Sequence, residues 1–206
     1  MTRIVGLDEA GRGPVLGSMV MGAVLADESQ MGIFRELGVR DSKALTRKAR
    51  ERVFDRLTER FEIAYERVTP AAINRPDSNL NRLEYDVLCR LIEKIRPDRL
   101  IVDAFLPPHR LTRELIERFP GLDVTAEWKA DQNHPIVSAA SIVAKVIRDR
   151  DMDRLKGKWG EVGSGYPGDP KTVSWLRAQL LKNRLAVRSL PPIIRLRWST
   201  IDRLRG

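Results

Sequence analysis

Four carboxylates stand where a predicted strand ends or a predicted helix opens: Asp8, Glu9, Asp103 and Asp131. In open α/β sheets the carboxyl ends of strands are where ligands collect. Asp103 directly follows the apolar run Leu100-Ile101-Val102, and an unpaired acid next to a buried strand is costly to place. Neighbours in a strand face opposite sides, so Asp8 and Glu9 share a ligand only if the chain turns at once, as Gly11 and Gly13 permit. Each acid also has a plain reading, as a strand end, a turn cap or a loop residue. Brought together, the four would repel one another, and divalent cations would relieve that repulsion. All-oxygen coordination selects hard ions, magnesium or manganese. Zinc has little support, because the chain holds one cysteine, Cys89, and two histidines, His109 and His134, without ligand spacing. His134, just before Pro135 and a helix, reads as structural or solvent-facing. The same scarcity disfavours a nucleophile–histidine triad. Metal-assisted phosphoryl hydrolysis is the reaction class left.

Other residues are suited to holding a substrate. Gly11-Arg12-Gly13 puts two residues without side chains around an arginine, next to the first acids. Backbone amides there can approach a phosphate or sugar closely, and the arginine adds charge; the plain reading is a tight turn. Asp41-Ser42-Lys43 precedes a helix, so it is either a cap region or a phosphate contact through Lys43. Tyr166 sits in the glycine- and proline-rich stretch 163–170, where it either stacks on a base or sugar or packs on the body.

The elements that must position these groups follow from the apolar pattern. Strands are expected over 3–8, 19–25, 61–68, 100–102 and 122–126, the fourth wholly apolar as a buried central strand should be. Helices are expected from the Thr46 cap to about 57, over 79–95, 112–119 and about 137–155, and from Pro170 to about 183. The helix at 137 opens with Ala139, Ala140, Ser141 and Ala144, small enough to let it lie close on a sheet. The fold class expected is α/β, a mixed sheet flanked by helices. Residues 1–158 read as the catalytic body and 159–206 as a basic helical extension.

Bulk properties agree with that division. Residues 170–206 carry nine Lys and Arg against one acid, Asp202, which is +8 of the net +9. A basic segment on a near-neutral body is the footprint of a phosphate-tracking protein, with a solubilising tail as the plain alternative. No run of 18 apolar residues and no signal peptide is seen, so no membrane is expected as a partner. A lone cysteine suits a reducing cytoplasm, the expected location. No oligomerisation element is evident, and a monomer is expected.

Taken together, the motifs resemble the signature of type 2 ribonucleases H, the ribonuclease HII family. The resemblance is carried by Asp8-Glu9-Ala10-Gly11-Arg12-Gly13-Pro14, Asp41-Ser42-Lys43-x-Leu45, Val102-Asp103-Ala104 and Lys129-Ala130-Asp131, in that order. It continues through residues 137–145, Val-Ser-Ala-Ala-Ser-Ile-Val-Ala-Lys, and 163–167, Gly-Ser-Gly-Tyr-Pro, with Asp169-Pro170. It covers Ile4 to Thr172, and the compact form with Pro135 is nearer the archaeal branch than the bacterial one. It implies an RNase H-like fold with a five-stranded mixed sheet and a C-terminal helical part. It implies Asp8, Glu9, Asp103 and Asp131 as the catalytic, metal-binding quartet for magnesium or manganese. It implies that Gly11, Arg12 and Gly13 read the ribose 2′-hydroxyl and flanking phosphate through the backbone, that Tyr166 stacks beneath the ribose, and that Lys43 and Lys145 touch phosphates. The reaction implied is cleavage of RNA in RNA/DNA hybrids, or of duplex DNA at a single ribonucleotide, on the 5′ side, leaving a 3′-hydroxyl and a 5′-phosphate. Ser18 departs from the proline expected there, the order at 195–205 is less diagnostic, and no sliding-clamp-binding peptide is recognised at the C-terminus.

Two competing readings remain at this level. Another nuclease of the same fold, resolvase-like or type 3, would share the acids, but Gly11-Arg12-Gly13 and Tyr166 argue against it. A non-catalytic nucleic-acid-binding protein would make the acids dispensable and its binding steeply salt-dependent.

Overall fold

A computed structural model describes residues 2–39, 45–182 and 190–205. Five strands form one sheet in the order β3-β2-β1-β4-β5: β1 (Arg3–Ala10), β2 (Met19–Asp27), β3 (Glu62–Val68), β4 (Arg99–Asp103) and β5 (Asp123–Glu127). β1 pairs antiparallel with β2, and β2 with β3, while β4 and β5 continue parallel to β1. The sheet is therefore mixed, as expected, with β1 at its centre. Helices cover both faces: α1 (Ile33–Glu36), α2 (Arg47–Arg60), α3 (Pro70–Ile73), α4 (Leu80–Ile95), α5 (Pro108–Arg118), α6 (Ala130–Asn133), α7 (Pro135–Trp159), α8 (Pro170–Lys182) and α9 (Ser199–Arg205).

Local chemistry fixes the main boundaries. The Thr46 hydroxyl accepts the Ala49 amide at 3.2 Å and caps α2, and the Asn79 side chain does the same for α4 with Arg82. Arg96, left-handed at φ 52°, ends α4 one residue before Pro97. The first half of α7 is apolar on nearly every side and is buried from Ile136 to Val143 without a break. It lies on β1 and β2, where a Cβ on Gly6 would stand 2.5 Å from the Ile136 carbonyl oxygen and one on Gly22 2.6 Å from that of Ala140. Of the small residues anticipated on the helix, Ala140 and Ala144 thus meet Gly22, while Gly6 lies against Ile136 and Val137. One core cluster joins α7 to α1, α2 and the sheet; a second joins α4 and α5 to the opposite face.

Some boundaries differ from expectation. β1 runs to Ala10 rather than stopping at Asp8, because its pairing with β2 persists to Ala10 opposite Val20. α5 begins at Pro108, where proline suits the first helical turn, instead of at 112. α7 extends to Trp159. Three four-residue helices, α1, α3 and α6, were not expected, since one turn shows no periodicity.

The C-terminal part packs on the body. Val15, Leu16 and Met152 share a third cluster with Val162, Leu176, Ile193, Ile194 and Ile201, and Leu16 bridges Ile194 in antiparallel fashion. The 163–170 loop is rigidly tied: Asp169 accepts the amides of Ser164 (2.5 Å) and Lys171 (3.0 Å), and the Thr172 hydroxyl accepts the Gly165 amide at 2.9 Å. Those bonds hold the Asp169 carboxyl down at about 2. Among the described residues no helix is long and apolar enough to cross a membrane.

Candidate active site

The site is assembled at the carboxyl end of β1 and β4. Asp8 is 5% exposed; it accepts the Glu9 amide at 2.7 Å and a hydrogen bond from the Ser141 side chain of α7. Leu7 pairs with Val102 in the parallel register, and the next step sets Asp8 beside Asp103. Asp103 accepts the Ala130 amide at 3.0 Å, fixing the first turn of α6, in which the next residue is the buried Asp131. Lys129, at φ 60°, makes the tight entry into that turn. Asp131 thus stands one residue beyond the amide that Asp103 holds.

The electrostatics agree with convergence of the first three acids. The Asp8 carboxyl is raised well above its ordinary range, by burial first, then by the Glu9 charge, and to a lesser degree by Asp103. Glu9 is raised by burial and by Asp103, against a lowering pull from Arg12. Strand alternation would separate Asp8 and Glu9, yet at the strand end their carboxylates still feel each other. Among the described residues no three His, Cys, Asp or Glu side chains already stand at the spacing that grips one ion.

Beside the acids opens a cleft of about 510 Å³, lined by Glu9, Ala10, Gly11, Arg12, Gly13, Lys145 and Tyr166, with Arg50, Arg148 and Asp149. Six of the residues singled out from the sequence therefore share one cavity. Tyr166 is 45% exposed, and a Cβ on Gly13 would lie 3.8 Å from its ring, so ring and glycine turn face each other. Gly11 is required twice over: its φ is +86°, and a Cβ would press within 2.5 Å of the Arg148 side chain. The Arg12 guanidinium is ion-paired with the fully buried Glu84 and hydrogen-bonded to Asn81, so its charge is matched within the protein. Lys43 lies outside the described residues. His134 bonds Glu127 at 3.1 Å ahead of α7, in keeping with its structural reading.

Several residues escaped the sequence reading. Arg148 sits under Tyr166, its guanidinium 5.1 Å from the ring centroid, and burial lowers its basicity. Spacing could have found it, since Arg148 and Asp149 lie three and four places after Lys145, on the same helix face. Glu84 falls midway between Leu80 and Leu88 on the apolar stripe of α4, a charged residue where none should be. Arg195 interrupts Ile193-Ile194 and Leu196 and is wholly buried. Arg197 likewise spends itself on the carbonyls of Arg75 and Ser78, so part of the basic tail is structural.

Comparison with known proteins gives one answer. The profile of the family described as Ribonuclease HII matches residues 5–201. The chain is 40% identical over 207 residues to Ribonuclease HII of Thermococcus onnurineus, covering 98% of this chain and 89% of that one. Among solved structures, ribonuclease H2 from Pyrococcus horikoshii superposes with a TM-score of 0.90 at 39% identity, covering 99% of this chain and 97% of the other. The RNase HII of a PCNA:RNase HII complex from Archaeoglobus fulgidus gives 0.88 at 36% identity, covering 98% and 97%. This chain belongs to the ribonuclease HII family, endonucleases that degrade the RNA of RNA/DNA hybrids.

Proposed function

We propose that the chain hydrolyses both the RNA strand of hybrids and single ribonucleotides embedded in duplex DNA. It cuts 5′ of the ribonucleotide and leaves a 3′-hydroxyl and a 5′-phosphate. The observation that carries this reading is the mutual repulsion of Asp8, Glu9 and Asp103 at the strand ends, beside a cleft lined by Lys145, Arg148 and Tyr166. The donor set fits divalent cations: burial first, and repulsion by neighbouring acids second, raise the Asp8 and Glu9 carboxyls, and a hard cation would offset both. Asp8, Glu9, Asp103 and Asp131 would hold magnesium or manganese, which supplies charge for water activation and for the leaving oxygen.

The chain's own groups do the rest. The Glu9 amide and Ser141 orient Asp8, and the Ala130 amide orients Asp103, so both carboxylates are fixed before substrate arrives. With the Arg12 side chain held by Glu84, the turn Gly11-Arg12-Gly13 meets the ribose through its backbone, and a 2′-hydroxyl is what it can tell from deoxyribose. Tyr166, held by its tied loop and backed by Arg148, offers a face to the sugar. Lys145 and Arg148 place positive charge where phosphates pass.

The test is a DNA duplex containing one ribonucleotide, incubated with magnesium or manganese. Wild type should cut it at the 5′ side, and Asp103→Asn should lose activity by about a hundredfold or more. Cleavage of all-DNA duplex, or undiminished cleavage in the presence of a chelator, would overturn the proposal.

A further inference from the structure

Arg195 is fully buried, and its partners are three backbone carbonyls rather than an acid. Its guanidinium donates to the carbonyl oxygens of Gly11 at 2.7 Å, Arg12 at 3.1 Å and Gly17 at 2.8 Å. Trp198, whose ring lies 5.0 Å from that guanidinium, donates its indole N–H to the Gly13 carbonyl at 2.9 Å. Every carbonyl of the Gly11-Arg12-Gly13 turn is thus held from one side by the C-terminal segment. That segment is itself pinned. The Arg195 amide donates to the Val15 carbonyl at 2.9 Å, and Asn74 bonds both the Ile194 carbonyl (2.8 Å) and the Leu196 amide (2.7 Å).

In a trans peptide the C=O and the following N–H point in opposite directions, and the chain has no cis peptide among its described residues. Drawing the Gly11 and Arg12 carbonyls toward Arg195 therefore turns the Arg12 and Gly13 amides the other way. The turn lines the cleft, so amides turned away from Arg195 are free to face into it. A cation on the carbonyl oxygens also polarises the amides and strengthens them as donors. Burial and the nearby Arg148 bring Arg195 down to about 9, which leaves it charged at neutral pH.

We propose that Arg195 is a positioning residue: from the C-terminal segment it orients and polarises the Arg12 and Gly13 amides that recognise the ribonucleotide. Only a planar fork spans three carbonyls, so lysine, with the same charge on a point, does not replace it. The inference rests on the ribonucleotide reading given above for that turn, but its physical core is tested without any nuclease assay.

In Arg195→Lys, the backbone order parameters of the Arg12 and Gly13 amides should fall from the rigid value of about 0.85 toward 0.6. The KM for a single-ribonucleotide duplex should rise about tenfold with kcat little changed, while affinity for the all-DNA duplex stays the same. If Arg195→Lys folds poorly, Arg195→Ala with added guanidinium ion is measured instead, and rescue of KM by guanidinium, but not by ammonium, supports the role. Order parameters that stay at the wild-type value, or a loss confined to kcat on all substrates, would overturn it. Wild-type protein that cuts no ribonucleotide substrate would instead overturn the functional reading, and the amide measurement would still decide this one.

Discussion

Asp103 is a half-buried acid whose charge helps two neighbouring carboxyls keep their protons. Burial raises both Asp8 and Glu9, with Glu9 and Asp103 adding to Asp8 and Asp103 adding to Glu9, and folding therefore takes up protons at these sites. Their contribution to stability is fully present below the unfolded carboxylate range and is lost as pH rises through the raised folded values. Asp103→Asn removes one repelling charge and keeps a carbonyl oxygen for the Ala130 amide. In chelator at pH 7 the variant should melt about 2–4 °C above wild type, and the gain should shrink toward pH 4. A lower Tm than wild type at pH 7 would show that the Asp103 carboxylate holds the metal-free fold together more than its repulsion loosens it. With the expected higher Tm, a residue whose loss abolishes activity is one whose loss stabilises the metal-free chain. At this scale the sequence was informative about acids and glycines, because strand ends and turns are local signals. It was silent about Arg195, whose carbonyl partners lie about 180 positions away. Glu84 was legible only as a charge on an apolar stripe, and its partner Arg12 could not be named from that alone.

At the scale of elements, the contact between α7 and the sheet sets the site. Gly22 pairs with Asp8 across β1 and β2, and it lies under α7 where a Cβ would stand 2.6 Å from the Ala140 oxygen and 2.8 Å from the Ala144 nitrogen. Its φ is not in the left-handed region, so alanine can adopt the backbone and the whole effect is one of space. Gly22→Ala must push α7 outward, and α7 carries Ser141, Lys145 and Arg148. Overpacking of this kind costs about 1–3 kcal/mol, to be read as a lower urea midpoint with an unchanged slope, and nuclease activity should fall with it. An unchanged midpoint would mean that the helix has room the structure does not show. The five strands and the long helices were legible because each buries a face with its own period. The one-turn α6 was not, although it is the element that carries Asp131, directly after the Ala130 amide that bonds Asp103. Its start depends on a left-handed Lys129 and on the distant Asp103 carboxylate, and neither leaves a mark on local periodicity.

For the whole molecule, the question is how the C-terminal part belongs to the body. The chain has 206 residues, beyond the size at which a single cooperative unit can be assumed. A division near residue 158 crosses a shared apolar seam, in which Leu16 and Val15 from the body have no exposure and pack with Val162, Leu176 and Ile194 from the remainder. The same segment holds the glycine turn through Arg195 and Trp198, so separating the parts would expose apolar surface and release the turn together. Two parts joined this way should melt as one. Calorimetry of the full chain is expected to give one transition, with calorimetric and van't Hoff enthalpies in agreement. Leu16→Ala, which leaves a cavity in the seam, should lower that single Tm at a cost of roughly 2–5 kcal/mol. Two resolved transitions, with Leu16→Ala moving only one of them, would establish independently folding domains and would separate substrate reading in the tail from catalysis in the body.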